Sequence, residues 1–483
     1  MRDTPINRLV NRRNLLAGGA AAAMTLTTPA RVMAQMQGRK PNIIFIMADD
    51  MGYADVSFNG RQDLSTPNID AIANAGVRFT RSYANSAVCS ATRVALITGR
   101  YQYRLPIGLE EPLASISPPG IGLPPEHPTL PSLLRSAGYE TMLIGKWHMG
   151  ELPKYGPLQS GYDHFFGFRG GALDYFTHHD RKGEEDLWDD DQPIERTGYL
   201  TDLIGQRAVA SIDRYARKRK PFFMSVHFNA PHWPWEGPHD SAESERIKKT
   251  NLAHFDGGSR KTYIDMIRAM DDQVGAILAA LKRNGLSRDT IVVFTSDNGG
   301  ERFADTWPFS GQKTELLEGG LRVPTAVCWP ARIAPKQVST QTMITMDWVP
   351  TLLAAAGAKP APDHPSDGVN LLPWLTAKRA PAPRTLFWRY KANHQRAMVE
   401  GDYKYLKIAE NSYLFNVDSD PLERANLKER EPARFAAMQK AWRDWNSTML
   451  PEIDASFTEG VTADRQADHI GSRNVLKTAD RDD

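Results

Sequence analysis

Cysteine is almost missing from this chain: among 483 residues only Cys89 and Cys328 occur. Two cysteines exclude a disulfide framework of the kind that staples small secreted domains, and leave room for one bridge at most. Long hydrophobic runs are missing as well. The apolar stretch near the amino terminus, Ala17 to Leu26, is too short to anchor the chain in a bilayer. Neither sign of charge dominates, since 59 Lys and Arg stand against 57 Asp and Glu, and no long basic run occurs. That balance argues against nucleic acid as the natural ligand. There is no internal repeat and no long low-complexity segment. What remains, 41% hydrophobic and 24% charged residues, is the composition of a globular chain long enough to bury a large core.

The amino terminus reads as an export signal. Asn11-Arg12-Arg13-Asn14-Leu15-Leu16 is followed by the short apolar run and then by small residues at Val32-Met33-Ala34. A twin arginine, a modest apolar region and an A-type cut site predict a signal over residues 1–34 that is read by the twin-arginine export machinery. The mature protein is then expected to be periplasmic or secreted, with no membrane anchor. Its removal takes five arginines and one aspartate, so the mature chain carries 54 basic and 56 acidic residues.

Strand-like runs recur, each ending in polar residues. Pro41 to Ala48 is continuously apolar and stops at Asp49-Asp50-Met51-Gly52; Thr290 to Ser296 delivers Asp297-Asn298-Gly299-Gly300; Pro221 to Phe228 delivers Asn229-Ala230-Pro231-His232. Runs apolar on both faces belong in a sheet covered by helices, and open α/β sheets bind ligands at the carboxyl ends of their strands. Helical patterns lie between them, at Leu130 to Ala137, Leu200 to Arg217, Tyr263 to Leu281 and Trp348 to Ala355. The alternation predicts an α/β fold: a doubly wound, mostly parallel sheet with helices on both faces. From about Pro360 prolines accumulate and shorter strands follow, at Thr385 to Tyr390, Arg396 to Glu400, Tyr403 to Ile408 and Ser412 to Val417. These predict a smaller C-terminal antiparallel sheet with a packing helix near Pro432 to Trp445. The expected organisation is a catalytic domain over 35–375, a C-terminal subdomain over 376–454 and a polar tail over 455–483.

The two cysteines stand in different surroundings. Cys328 lies in the apolar run Val323 to Trp329 and reads as a small buried hydrophobe. Cys89 opens a probable helix that stops at Gly99, with Arg93 one turn on. A helix N-terminus and a nearby guanidinium favour an anion, so Cys89 is either a reactive thiolate or a cysteine packed under a helix.

The segment CSATRVALITGR, Cys89 to Arg100, resembles the signature of the sulfatase family of the alkaline phosphatase superfamily, in which such a cysteine is oxidised to formylglycine. Ala91 stands where many members have proline. Gly145-Lys146-Trp147-His148-Met149-Gly150 resembles the family's GKWHLG segment. Lys146 and His148 are two apart, which in an extended segment puts both on one face. His232 matches the family's second histidine and Lys313 its second lysine, and Tyr413 to Leu427 resembles the C-terminal end of arylsulfatase-like members. The likeness runs from Pro41 to about Leu427. By resemblance, Asp49, Asp50, Asp297 and Asn298, completed by residue 89, are ligands of one divalent cation. Such all-oxygen donors suit Ca²⁺ or Mg²⁺ and not zinc.

The resemblance implies an arylsulfatase-like sulfuric ester hydrolase whose substrate is a small-molecule or carbohydrate sulfate ester, and a formylglycine-generating maturation enzyme acting on Cys89. Its implied mechanism starts from the hydrated aldehyde at residue 89. One hydroxyl attacks sulfur while Arg93, Lys146 and Lys313 balance charge, and His232, with Lys313, protonates the departing alcohol. His148 then deprotonates the second hydroxyl and sulfate is eliminated. Relatives often carry a further polar residue after the GKWH segment; Ala172 takes that place here, so that one substrate contact is either missing or supplied by Arg169 or Asp174. The irregular stretches Trp188 to Glu195 and His232 to His254 are expected to frame the pocket mouth. Two rival readings stay open: a phosphodiesterase or phosphonate monoester hydrolase of the same superfamily, and a non-catalytic protein that binds a sulfated ligand with Cys89 left as a thiol.

Overall fold

Six apolar residues, Ile43 to Ala48, preceded by Asn42, form the strand β1 (Asn42–Ala48) at the centre of the computed structural model, and all seven are buried. The structure describes residues 40–114, 117, 120–248, 254 and 257–452. The export signal expected over 1–34 and the tail expected over 455–483 lie outside them. The further strands are β2 (Val77–Phe79), β3 (Ser82–Tyr83), β4 (Glu140–Lys146), β5 (His164–Phe168), β6 (Trp188–Asp189), β7 (Gln192–Pro193), β8 (Phe222–His227) and β9 (Thr290–Ser296). They are followed by β10 (Thr325–Cys328), β11 (Gln337–Ser339), β12 (Met343–Ile344), β13 (Thr385–Tyr390), β14 (Gln395–Glu400), β15 (Tyr403–Ile408) and β16 (Asn411–Asn416).

The large sheet has the order β11-β2-β10-β9-β1-β8-β4-β5-β6-β7. Its five central strands, β9, β1, β8, β4 and β5, run parallel, while β10 and the β6–β7 hairpin are antiparallel to their neighbours. The double winding is visible in β1. Ile44, Ile46 and Ala48 pack with the helices Pro67–Asn74, Leu200–Lys218 and Arg260–Arg283 on one face, whereas Ile43, Phe45 and Met47 pack with Leu130–Ser136, Trp348–Ala356 and Cys89–Thr98 on the other. Alternate residues of one strand thus enter two separate cores, the arrangement that a run without polar alternation demands. Among the described residues no helix is long and apolar enough to cross a membrane.

Register decides which polar residues meet. Asn42 to Ala48 pairs residue by residue with Thr290 to Ser296, so Asp49 and Asp297 leave the sheet side by side. Met47 of β1 and Gly145 of β4 both face His227 of β8. One edge of the sheet therefore gathers the ends of β1, β4, β8 and β9.

The strands β13 to β16 form the expected antiparallel meander, with the helix Pro432–Asn446 on one face through Met438 and Trp442. The other face carries Leu386, Trp388 and Val399 into one core with Tyr83, Val88 and Ala91. The small sheet thus packs directly behind the segment that bears Cys89. One expectation is revised: Trp188 to Glu195 is not a loop throughout but contains the hairpin β6–β7 on the edge of the main sheet. Two-residue strands are too short to leave a periodic signal. Cys89 and Cys328 are both free, so the one bridge that composition allowed is not made.

Trp388 tests the coupling of the two sheets. Its ring is buried and its Nε1 donates to the Ala84 carbonyl at 2.8 Å. Trp388→Ala is expected to lower the unfolding free energy by about 3–5 kcal/mol. Trp388→Phe, which keeps most of the apolar volume, should lose about half of that, as read by urea unfolding.

Candidate active site

Cys89 is the first residue of the helix Cys89–Thr98, whose ten residues are all buried. Val88 before it is extended and provides no side-chain cap, and Gly99 closes the helix at φ 70°. That backbone is left-handed, and a Cβ at Gly99 would stand 2.7 Å from Val349 Cβ, so glycine is required there on both counts. The small residues Ser90, Ala91 and Ala95 let the helix sit within the core between the two sheets.

One turn on, the Arg93 guanidinium is fully enclosed. Its Nη2 donates to Asp297 Oδ2 at 2.8 Å and lies 3.7 Å from Asp49 Oδ2, and its Nη1 reaches the Lys146 carbonyl at 3.2 Å and His227 Nδ1 at 3.3 Å. Lys146 Nζ is 2.5 Å from Asp49 Oδ2, and Lys313 Nζ is 2.5 Å from Asp50 Oδ2 and 3.3 Å from Glu301 Oε2. Asn298 Nδ2 donates to Asp50 Oδ1 at 2.7 Å. Asp50 has φ 64°, an uncommon conformation for a non-glycine residue, and its N–H is held by Asp297 Oδ1 at 3.2 Å.

The two histidines flank this cluster. His148 Nδ1 is 3.3 Å from Cys89 Sγ and its Nε2 is 2.7 Å from the Leu113 carbonyl. A carbonyl only accepts, so Nε2 carries the hydrogen and the neutral ring turns the Nδ1 lone pair towards residue 89. His232 Nδ1 donates to the Trp233 carbonyl at 2.6 Å and its Nε2 is 3.5 Å from Asp50 Oδ2. All the residues expected from sequence, Cys89, Arg93, Lys146, His148, His232, Lys313, Asp49, Asp50, Asp297 and Asn298, thus meet in one buried place. The route differs from expectation in one respect: His148 has φ 57°, so the chain turns out of the strand after Lys146 instead of continuing extended.

Burial and mutual charge shift these groups. Burial, followed by the Asp297 charge, raises the Asp49 carboxyl well above its usual range in spite of Lys146 and Arg93. His148 is pushed well below the ordinary histidine value by burial and then by Lys146, and His232 by burial and then by Lys313 and Lys146. The Cys89 thiol is pushed up by burial, which Lys146 and Lys313 do not offset. A thiolate poised by its helix is therefore not what the surroundings favour.

The donor set fits a hard divalent cation. Asp49 Oδ1 and Asn298 Oδ1 are buried without a hydrogen-bond partner. Ligand atoms of Asp49, Cys89 and Asp297 lie within 4.8 Å of one another, as do those of Asp49, Asp50 and His232. Oxygen donors predominate in this cluster, as calcium or magnesium require.

Three participants escaped the sequence reading. His227 ends the run that forms β8 and Glu301 follows the Asp297 to Gly300 turn; a polar residue closing an apolar run, and an acid just past a strand-end pair, were the signals available. Gln395 gave none. It opens β14, accepts from Leu316 N at 2.8 Å and donates to the Thr314 carbonyl at 2.9 Å, which holds the backbone beside Lys313. Arg169 and Asp174 serve the fold in the described structure. Arg169 pairs with Asp191 and stacks on Trp188, while Asp174 accepts from Phe176 N, Thr177 N and Ser244 Oγ.

The chain is similar to known proteins over most of its length. The family model described as Sulfatase matches residues 41–358, and one described as N-sulphoglucosamine sulphohydrolase, C-terminal, matches 311–444. N-acetylgalactosamine-6-sulfatase of Mus musculus is 35% identical over 388 residues, covering 75% of this chain and 71% of the relative. Arylsulfatase J of Mus musculus is 29% identical over 476 residues, covering 85% and 77%. Among solved structures, Ps i-CgsB in complex with k-i-k-neocarrahexaose superposes with a TM-score of 0.77 at 31% identity, covering 87% of this chain and 96% of that one.

The clamp on the Lys313 backbone is open to measurement. Gln395→Ala removes the buried acceptor of the Leu316 N–H and one donor to the Thr314 carbonyl and is expected to cost about 2 kcal/mol. Gln395→Glu keeps the acceptor for Leu316 but turns a buried carboxylate oxygen towards the Thr314 and Ala392 carbonyls in place of the amide donor, and should cost at least as much; urea unfolding of the two variants decides.

Proposed function

The chain belongs to the sulfatase family and is a sulfuric ester hydrolase, and from that premise we propose that it is an exported, calcium- or magnesium-dependent sulfatase that removes sulfate from carbohydrate through a formylglycine at residue 89. The observation that carries this reading is the locked His148 tautomer, with Nδ1 3.3 Å from Cys89 Sγ, beside the unpaired oxygens of Asp49 and Asn298. The carbohydrate substrate is supported by the names of the relatives and by the oligosaccharide bound in the solved structure above. The twin arginine at Arg12-Arg13 supports export by the twin-arginine route, and the CSATR segment supports maturation by a formylglycine-generating enzyme.

Asp49, Asp50, Asp297 and Asn298 would hold the cation together with residue 89. When bound it supplies Lewis acidity, polarising a sulfate oxygen and lowering the pKa of a hydroxyl. A hydrated formylglycine supplies a nucleophilic oxygen and an elimination route that breaks a C–O bond in place of an S–O bond.

The remaining work falls to this chain's own side chains. His148 is kept neutral by burial and Lys146, so its Nδ1 accepts a proton from residue 89. His232 presents Nε2 to the centre because Nδ1 is tied to the Trp233 carbonyl. Burial, and after it Lys313 and Lys146, hold His232 neutral; a sulfate anion lying between the lysines opposes their field and favours the protonated ring, which then donates to the leaving oxygen. Lys146 and Lys313 are the cations within reach of the sulfate oxygens. Arg93 makes its contacts to the carboxylates and backbone and so acts through the groups it orients.

The reading is tested on protein purified from its native host. Peptide mass spectrometry should find residue 89 converted to the aldehyde, and Cys89→Ala should lower sulfate release from an aryl sulfate by at least about 1,000-fold. An unmodified thiol in active, exported protein sinks the formylglycine assignment, and faster turnover of matched phosphate diesters than of sulfate esters would move the enzyme to the phosphodiesterase branch. Chelation should abolish turnover. Calcium returned at about a hundred times its Kd should raise the unfolding free energy by about 2.7 kcal/mol.

A further inference from the structure

One segment, residues 170 to 186, lies over both catalytic histidines. At Gly171 its backbone passes so close to His148 that a Cβ there would stand 2.7 Å from the imidazole. Four residues on, the Tyr175 hydroxyl donates to the His232 carbonyl at 2.9 Å. The segment then closes into a tight turn. Asp180 N donates to the Glu184 carbonyl at 2.8 Å, Asp180 Oδ1 accepts from Lys182 N and Glu184 N at 2.8 and 2.9 Å, and His179 bridges Glu185.

Arg181 sits in that turn, exposed, with its guanidinium carbon 5.3 Å from the centre of the Trp233 ring. The Trp233 ring is in turn 4.4 Å from that of His232. No carboxylate among the described residues pairs with Arg181, whereas Arg169 and Arg207 in the same neighbourhood each hold an aspartate. A guanidinium fixed on an aromatic face, with its N–H fork free of acid, is built to receive a planar or tetrahedral anion. The two steps, 4.4 Å from His232 to Trp233 and 5.3 Å from Trp233 to Arg181, set the guanidinium to one side of the catalytic histidine, where a group on an adjoining part of the substrate would meet it.

We propose that Arg181, stacked on Trp233 beside His232, binds a second anionic group, sulfate or carboxylate, on the sugar next to the one being desulfated, and so selects polyanionic carbohydrate over singly charged substrates. This rests on the carbohydrate reading above and adds to it the charge pattern of the substrate. Trp233 contributes the surface that orients the guanidinium, and the Asp180 turn holds it there before substrate arrives, which limits the entropy lost on binding. The contact is near the surface, so it is screened by salt.

The test compares kcat/KM of the full mature enzyme and of Arg181→Ala on four substrates: an aryl sulfate, a monosulfated disaccharide, a disulfated disaccharide, and a disaccharide with one sulfate and one uronic carboxylate. Wild type should prefer the doubly charged disaccharides, and Arg181→Ala should cut that preference about tenfold, through KM. Arg181→Lys should restore part of it, and the preference should shrink as ionic strength rises. Loss confined to the disulfated or to the uronate substrate identifies which anion the site receives. If Arg181→Ala leaves the preference intact, or lowers turnover of all four substrates equally, the assignment is overturned while the carbohydrate reading stands. If wild type turns over the aryl sulfate but no sulfated sugar, the carbohydrate reading fails and this assignment with it.

Discussion

The Arg93 guanidinium binds the carboxyl ends of all four strands that meet at the site: Asp297 after β9, Asp49 after β1, the Lys146 carbonyl of β4 and His227 of β8. No other side chain in the described structure spans these four ends. The planar fork of an arginine suits the task, since it offers donors in two directions to partners that a lysine could serve only singly. Because Arg93 lies one turn after Cys89, the same contacts set the depth at which the helix N-terminus enters the sheet edge. A buried cation of this kind persists only where carboxylates compensate it, and breaking such a pair by removing one partner costs about 3–5 kcal/mol. The sheet edge, the helix and the charge cluster therefore depend on each other.

The cluster gathers more acids than bases. Asp49, Asp50, Asp297 and Glu301 face Arg93, Lys146 and Lys313, four acids against three bases, with the histidines neutral. Burial, before any neighbouring charge, raises the Asp49 carboxyl well above its usual range and pushes Glu301 up to about 7. A divalent cation bound among these acids would add positive charge to the set. Fixed groups of both signs, held in place before any ligand arrives, are the condition for preorganised stabilisation of a charged transition state.

Much of this was legible in the sequence. Strands buried on both faces announce themselves as apolar runs, and β1, β8 and β9 end within a residue or so of where the polar pairs begin, so the strand ends and the residues they deliver could be read together. The helix from Cys89 was bounded by its own Gly99. The rest depended on three-dimensional closure. The turn at His148 needs positive φ, which no local pattern there signals, and it is this turn that brings the ring to Cys89. The two-residue strands β6 and β7 carry no period, and Gln395 is an ordinary polar residue until the small sheet folds onto the Lys313 segment.

That last contact explains why a catalytic sheet carries a second sheet behind it. Lys404 of β15 is fully buried between Glu318 and Glu423, at 3.0 and 2.9 Å, and Glu318 also takes Arg322 at 2.6 Å and the Tyr83 hydroxyl at 2.9 Å. Burial alone would raise the Glu318 carboxyl, yet Lys404 and Arg322 hold it down to about 2. This second ionic cluster fixes the short helix Glu318–Leu321, and with Gln395 it pins both sides of the segment that carries Lys313. Thr314, next to Lys313, has φ 73° and donates its N–H to the Ala87 carbonyl at 2.9 Å, two residues before Cys89. A strained residue persists only where its neighbours over-determine it. The small sheet, through Lys404, Gln395 and Trp388, provides that over-determination, so the positions of Lys313 and Cys89 are set from the side on which the small sheet packs.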